Sequence, residues 1–135
     1  MIDLSRLAVG REGHAEWVVE EQHTAPRIGS GKIRVLATPV MINLMEAAAL
    51  DAVEALLPEG HQSLGTRLDV THIAGTPVGM RIRATARLVA VEGRKLRFEV
   101  SASDEVERIG EGSHDRVVVD VARFDARIEK KTKTL

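Results

Sequence analysis

Three side chains in this 135-residue sequence are suited to moving a proton or gripping a carbonyl, and each stands in an informative place: Thr38, Glu46 and His72. Glu46 is the single charge in "VLATPVMINLMEAAAL", the run from Val35 to Leu50. A buried, ionised carboxylate is costly unless it is paired or hydrogen-bonded. Glu46 therefore either reaches water at a helix edge or lies inside for a chemical reason. On a helical wheel Ile42, Met45, Ala49, Val53 and Leu56 form one apolar stripe, with Asn43, Asp51 and Glu54 opposite. Glu46 is bracketed by Ile42, Leu50 and Val53, so the expectation is that it shares the buried stripe.

His72 ends a segment in which Leu64, Leu68, Val70 and His72 share one parity, and it should point to the same side as that helix. An imidazole and a carboxylate that both face inward can exchange protons near neutral pH. The plain alternative is a histidine at the rim of its strand, hydrogen-bonded to a backbone carbonyl. Thr38 precedes Pro39, the pattern of a helix cap. Its hydroxyl, with the free N–H groups of a helix start, could equally bind a carbonyl oxygen or an anion. Eight residues separate Thr38 from Glu46, roughly 12 Å along a regular helix, too far for direct contact.

Other chemistries find little support. "GSGK" at Gly29 to Lys32 lacks the upstream glycine of a phosphate-binding loop, no serine sits in G-x-S-x-G, and the five histidines show no metal-ligand spacing. His14 and His61 read as exposed and His23 as a loop residue, while Arg116, beside His114, could meet a phosphate. With no cysteine, disulfides and thiolate chemistry are excluded, which fits a cytoplasmic protein. Lys and Arg number 19 against 20 Asp and Glu, so no nucleic acid or acidic membrane is expected as a partner. The longest uncharged run, Val35 to Met45, covers 11 residues. A membrane-spanning helix needs about 20. The start of the chain lacks the apolar core of a signal peptide. The aromatics are Trp17, Phe98 and Phe124, which predicts an aliphatic core.

The elements that must position these residues make one α+β domain spanning residues 1–135. A first strand is expected in "AEWVVEEQ", then a loop, "HTAPRIGSGKIR", then a single helix from about Pro39 to Leu57, stopped by Pro58 and Gly60. After it the period switches to two. Met80, Ile82, Ala84, Ala86 and Leu88 alternate with charged or polar residues, and so do Leu96, Phe98, Val100 and Ala102. Glu92-Gly93 marks a tight hairpin, "ERIGEGS" a turn or bulge, and "HDRVVVDVARF" a last strand. Five antiparallel strands would wrap the helix, leaving about 128–135 as a charged, frayed tail.

The motifs "TPVMINLMEAAAL", "SLGTRLDVTHIAGTPVGM", "VAVEGRKLRFEVSASD" and "IGEGSHDR" resemble, in this order, the fluoroacetyl-CoA thioesterase family of hotdog-fold thioesterases. The similarity runs from about Gly10 to Lys131, poorest in the loop before the helix. The resemblance implies a homodimer or higher oligomer with active sites at the dimer interface. It also implies hydrolysis of an acyl-CoA, with CoA as part of the substrate and no cofactor or metal. The family's catalytic threonine, glutamate and histidine fall on Thr38, Glu46 and His72, its active-site glycine on Gly65 and its arginine on Arg116. The fluoroacetyl-CoA specialist carries bulky aromatics in a lid before the helix. "PRIGSGKIRVL" has none, so a small acyl-CoA without fluoroacetyl selectivity is the expected substrate. A non-catalytic acyl-CoA sensor and an enoyl-thioester hydratase are the alternatives.

Overall fold

The computed structural model describes residues 2–135. Strand β1 (Glu12–Val18) leads through a short 3₁₀ turn (Glu21–His23) and a single helical turn, α1 (Ala25–Ile28), to the long helix α2 (Thr38–Val53). A 3₁₀ turn, Glu54–Leu56, closes that helix. Four strands follow: β2 (His61–His72), β3 (Arg81–Glu92), β4 (Lys95–Asp104) and β5 (Arg108–Asp120), and then helix α3 (Val121–Lys133). The strands form one antiparallel sheet in the order β1-β3-β4-β5-β2, curled around α2.

The core is aliphatic, as the shortage of aromatics predicted. Ile82, Ala84, Ala86 and Leu88 of β3 and Leu96, Phe98, Val100 and Ala102 of β4 are buried, the parity read from the sequence. They meet Met41, Leu44, Met45, Ala48, Ala49 and Ala52 of α2. Small residues let helix and sheet approach closely. At Gly13 of β1 a Cβ would overlap the backbone of Ala48 and Ala52. The outer face carries cross-strand ion pairs, Arg81–Glu16 at 3.1 Å and Arg97–Asp115 at 2.8 Å among them. No described helix is long and apolar enough to cross a membrane.

Four expectations shift. The first strand lies three residues earlier than expected, because its pairing with β3 runs from Glu12↔Arg87 to Val18↔Arg81, and Glu20 then starts the 3₁₀ turn. Of the turn and the bulge read in "ERIGEGS", the segment holds the bulge, and only its first residue, Glu107, belongs to a turn. Asp104 and the three residues after it make the turn, and the segment carries a β-bulge at Ile109, between the pairs Ala102↔Gly110 and Ser103↔Arg108. Residues 121–133 are helical, not strand and frayed tail: Asp120 Oδ1 accepts the Arg123 N–H at 3.1 Å, and Lys133 pairs with Glu129 one turn back. The chain therefore has a second long helix, and none of its residues is buried. Finally, the buried arc of α2 is centred on Met41, Leu44, Met45 and Ala48. Glu46 sits on its flank with 36% of its side chain exposed, outside the buried stripe.

Candidate active site

The first turn of α2 and the end of β2 bring Thr38 and His72 together. Thr38 is the first helical residue, with Ala37 in the capping position, and its hydroxyl makes no cap bond. Thr38 Oγ1 lies 2.7 Å from His72 Nδ1 instead. The capping role read from Thr38-Pro39 thus gives way to a side-chain pair. His72 Nε2 is buried without a hydrogen-bond partner among the described residues. Burial pushes the His72 imidazole below its ordinary pKa, so it is neutral at neutral pH. A neutral imidazole with one nitrogen on a hydroxyl and the other free can take up or deliver a proton. The pair opens on a cleft of about 370 Å³ whose walls include Ala25, Ile33, Val35 and Leu36. Its rim is Ser30-Gly31-Lys32, with no aromatic side chain in the lining.

Two turns further along the same helix flank, Glu46 stands in a different environment. Its Oε2 accepts a hydrogen bond from Arg116 Nη1 at 3.2 Å and lies 4.0 Å from His114 Nε2. Arg116 is 4% exposed. Its Nε donates to Ser63 Oγ at 2.8 Å and its Nη2 to the Ser63 carbonyl at 3.0 Å. Ser63 is itself clamped by Glu54, which accepts from the Ser63 N–H at 2.9 Å and from the Ser63 hydroxyl at 2.7 Å. This arginine is buried and engaged within the fold, so it is not presented to a phosphate at the surface as its position beside His114 suggested. Gly65, paired with Arg116 across β2 and β5, leaves the space that Glu46 fills: a Cβ there would lie 2.5 Å from Glu46 Oε2.

Sequence reasoning therefore named five residues that the structure sorts into two groups. Thr38 and His72 form one, and Glu46, Gly65 and Arg116 the other, with no hydrogen bond between them within the chain. It missed Ser63, Glu54 and His114. The alternation His114, Arg116, Val118 on one parity of β5 was the available signal, because it puts two polar residues on the side that must face the helix.

An antiparallel sheet curled round one long helix is the hotdog architecture, and solved structures of hotdog thioesterases superpose on it. A thioesterase superfamily member from Thermus thermophilus matches with a TM-score of 0.88 at 28% identity, over 95% of each chain. The fluoroacetyl-CoA thioesterase FlK matches with 0.87 at 38% identity, over 92% of this chain and 96% of the other. Residues 19–122 fit the family model described as FlK, fluoroacetyl-CoA-specific thioesterase. The fluoroacetyl-CoA thioesterase of Streptantibioticus cattleyicolor is 46% identical over 98 residues, which are 73% of this chain and 70% of that protein. The chain belongs to the fluoroacetyl-CoA-specific thioesterase family, and it is a thioester hydrolase.

Proposed function

We propose that the protein hydrolyses a small acyl-CoA to the free acid and CoA, in the cytoplasm, without selectivity for a fluorinated acyl group. The observation that carries this reading is the Thr38–His72 pair at 2.7 Å, facing an open cleft on the helix flank that also bears Glu46. Thr38 orients His72 or the thioester carbonyl. Glu46 takes a proton from the attacking water, or itself attacks the carbonyl carbon to give an anhydride that water then opens. His72, neutral at rest, receives the proton that this water gives up and passes it to the released sulfur, so that one water is consumed and one acid and one thiol are released. Gly65 lets the backbone and Glu46 approach the substrate closely, and Arg116 holds Glu46. Aliphatic walls and a rim without aromatics favour acyl groups chosen by fit rather than by fluorine.

The site as proposed is shared between two copies of the chain. Some 12 Å of helix separate Thr38 from Glu46, too far to act on one carbonyl. Thr38, Ile42, Glu46 and Leu50 recur every fourth residue along one flank. A two-fold axis near Ile42, with the helices antiparallel, brings the partner's Glu46 opposite Thr38 and His72. Strand β2 supports this: it is an edge strand, and Leu64 and Leu68 on it are exposed together with neighbouring Ile73.

Free thiol release from a panel of acyl-CoA esters tests the activity and separates hydrolysis from hydration or simple binding. Glu46→Gln and His72→Ala should each lose most of it. No release by the parent, or undiminished release by both variants, refutes the reading. Mixing the two inactive variants tests the shared site. Random re-pairing makes half the dimers mixed, each with one intact site, so about a quarter of the parent activity should return if sites are composite. None returns if each site is built from a single chain.

A further inference from the structure

We propose that His114 is a positioning residue for Glu46: its Nε2 lone pair takes one hydrogen of Arg116 Nη1 and so commits the other to the Glu46 carboxylate. The inference rests on the reading of Glu46 as base or nucleophile. His114 has no exposed surface, is stacked on Phe98 with ring centroids 6.1 Å apart, and makes two polar contacts. Nδ1 lies 2.9 Å from the Arg67 carbonyl, and Nε2 lies 3.2 Å from Arg116 Nη1. A carbonyl can only accept and a guanidinium can only donate. Both contacts therefore demand the same tautomer, with the proton on Nδ1 and a bare lone pair on Nε2.

The guanidinium is then held on three sides. Ser63 takes Nε and Nη2, and His114 takes one hydrogen of Nη1. The remaining Nη1 hydrogen has a single direction, and Glu46 Oε2 is in it at 3.2 Å. Without the Nε2 acceptor, the planar guanidinium is held only along its Ser63 edge, at Nε and Nη2, and can tilt about that edge to carry Nη1 away from the carboxylate. Protonating Nε2 would set an N–H against an N–H and a cation against a cation. The groups facing His114 are Arg116 on its own strand, Glu46 from α2, the Arg67 carbonyl from β2 and the Phe98 ring from β4. Burial, with Arg116 adding to it, holds the imidazole below its ordinary range and neutral, in keeping with this geometry.

The test uses two amide replacements. His114→Gln can return an acceptor to Arg116, whereas His114→Asn is too short to reach it but keeps a donor for Arg67. We expect His114→Asn to lower kcat roughly 10- to 100-fold with KM nearly unchanged, and His114→Gln to recover most of that loss. In a Glu46→Gln background, His114→Asn should lower kcat no further. Parent-like kcat in His114→Asn overturns the inference, and so does an undiminished additional loss in the Glu46→Gln background. Should both amides lose activity alike, that background alone decides between the two outcomes. If Glu46→Gln itself hydrolyses like the parent, the reading of Glu46 fails and takes this inference with it. If Glu46→Gln is impaired and His114→Asn is not, only the inference falls.

Discussion

Substituting Gly65 by alanine moves the carboxylate by a known amount while leaving the fold intact. The added Cβ would lie 2.5 Å from Glu46 Oε2, 3.2 Å from His114 Cε1 and 3.5 Å from Arg116 Nη1. A carbon and a carboxylate oxygen approach comfortably only to about 3.3 Å, so the oxygen must retreat by nearly 1 Å. That retreat stretches the 3.2 Å bond to Arg116 past the limit at which it counts as a hydrogen bond. The atom in the way is the end of a flexible side chain, and Gly65 is not among the glycines with positive φ, so the backbone accepts alanine unstrained. Arg116 is buried but keeps its bonds to Ser63 and His114, and the Glu46 carboxylate can retreat into water. Weakening the pair therefore costs about 1 kcal/mol, while replacing glycine gains about 0.4–1 kcal/mol from the unfolded state. The two offset each other, and Tm should move by no more than about 4 °C. Activity should not be spared: a misplacement near 1 Å is worth roughly 100-fold in rate. The assay is thiol release at saturating and limiting acyl-CoA, with Tm followed by circular dichroism. Parent-like kcat in a folded Gly65→Ala protein would show that the Glu46 position does not matter. A Tm collapse would show that the Cβ strikes packing rather than the carboxylate. A loss confined to KM would make Gly65 a wall for the acyl group only.

Gly13→Ala should behave in the opposite way, because its Cβ would overlap the Ala48 carbonyl and the Ala52 backbone, which cannot swing aside. A destabilisation of about 3 kcal/mol is expected in urea unfolding, and a cost below about 1 kcal/mol would refute the close packing of β1 on α2. Thr38→Val should lower kcat with little change in Tm, since the hydroxyl caps nothing and serves His72, and Thr38→Ser should restore much of the rate. Equal Tm losses in both variants would return Thr38 to a structural role. For pH, His72 and His114 are held low in the folded protein by burial, so the unfolded chain binds protons first. Stability should therefore be full above the unfolded value of about 6.5 and fall as pH drops below it. His114→Gln should flatten that fall, and a parent Tm unchanged from neutrality down to mildly acid pH would contradict the assignment.

What was legible follows from which faces are one-sided. Strands β3 and β4 bury one face and wet the other, so Ile82 to Leu88 and Leu96 to Ala102 announce their orientation by alternation alone. Helix α2 is apolar on almost every side, so its pattern predicts that it is buried but not which direction is central. That is how Glu46 came to be read one flank too deep. Arg116 was legible as a residue type but not as a buried one, because burying a guanidinium depends on Ser63, Glu54, Glu46 and His114 converging from elements far apart in sequence. Helix α3 escaped a reading built on buried stripes since it buries nothing. Its legible signals were local, an Asp120 cap and a Glu129–Lys133 pair.

The asymmetry of the helix–sheet contact explains why a carboxylate lies on so apolar a helix. On the side of β1 and β3 the interface is made of Gly13, Ala84, Ala86, Ala48 and Ala52, and the helix lies almost on the sheet. On the other side α2 barely touches β2, and a wedge opens between them. The wedge is filled by side chains long enough to span it: Glu46 from the middle of α2, Glu54 from the turn that closes it, Ser63 from β2, His114 and Arg116 from β5. Apolar residues of similar volume would fill the same space at equal or greater stability. A polar filling in which nearly every donor and acceptor is matched is retained at the one margin where the helix flank stays open to solvent and to the β2 edge. That margin holds Glu46 with 36% of its side chain exposed and its carboxylate fixed, the arrangement that its proposed role as nucleophile or base requires.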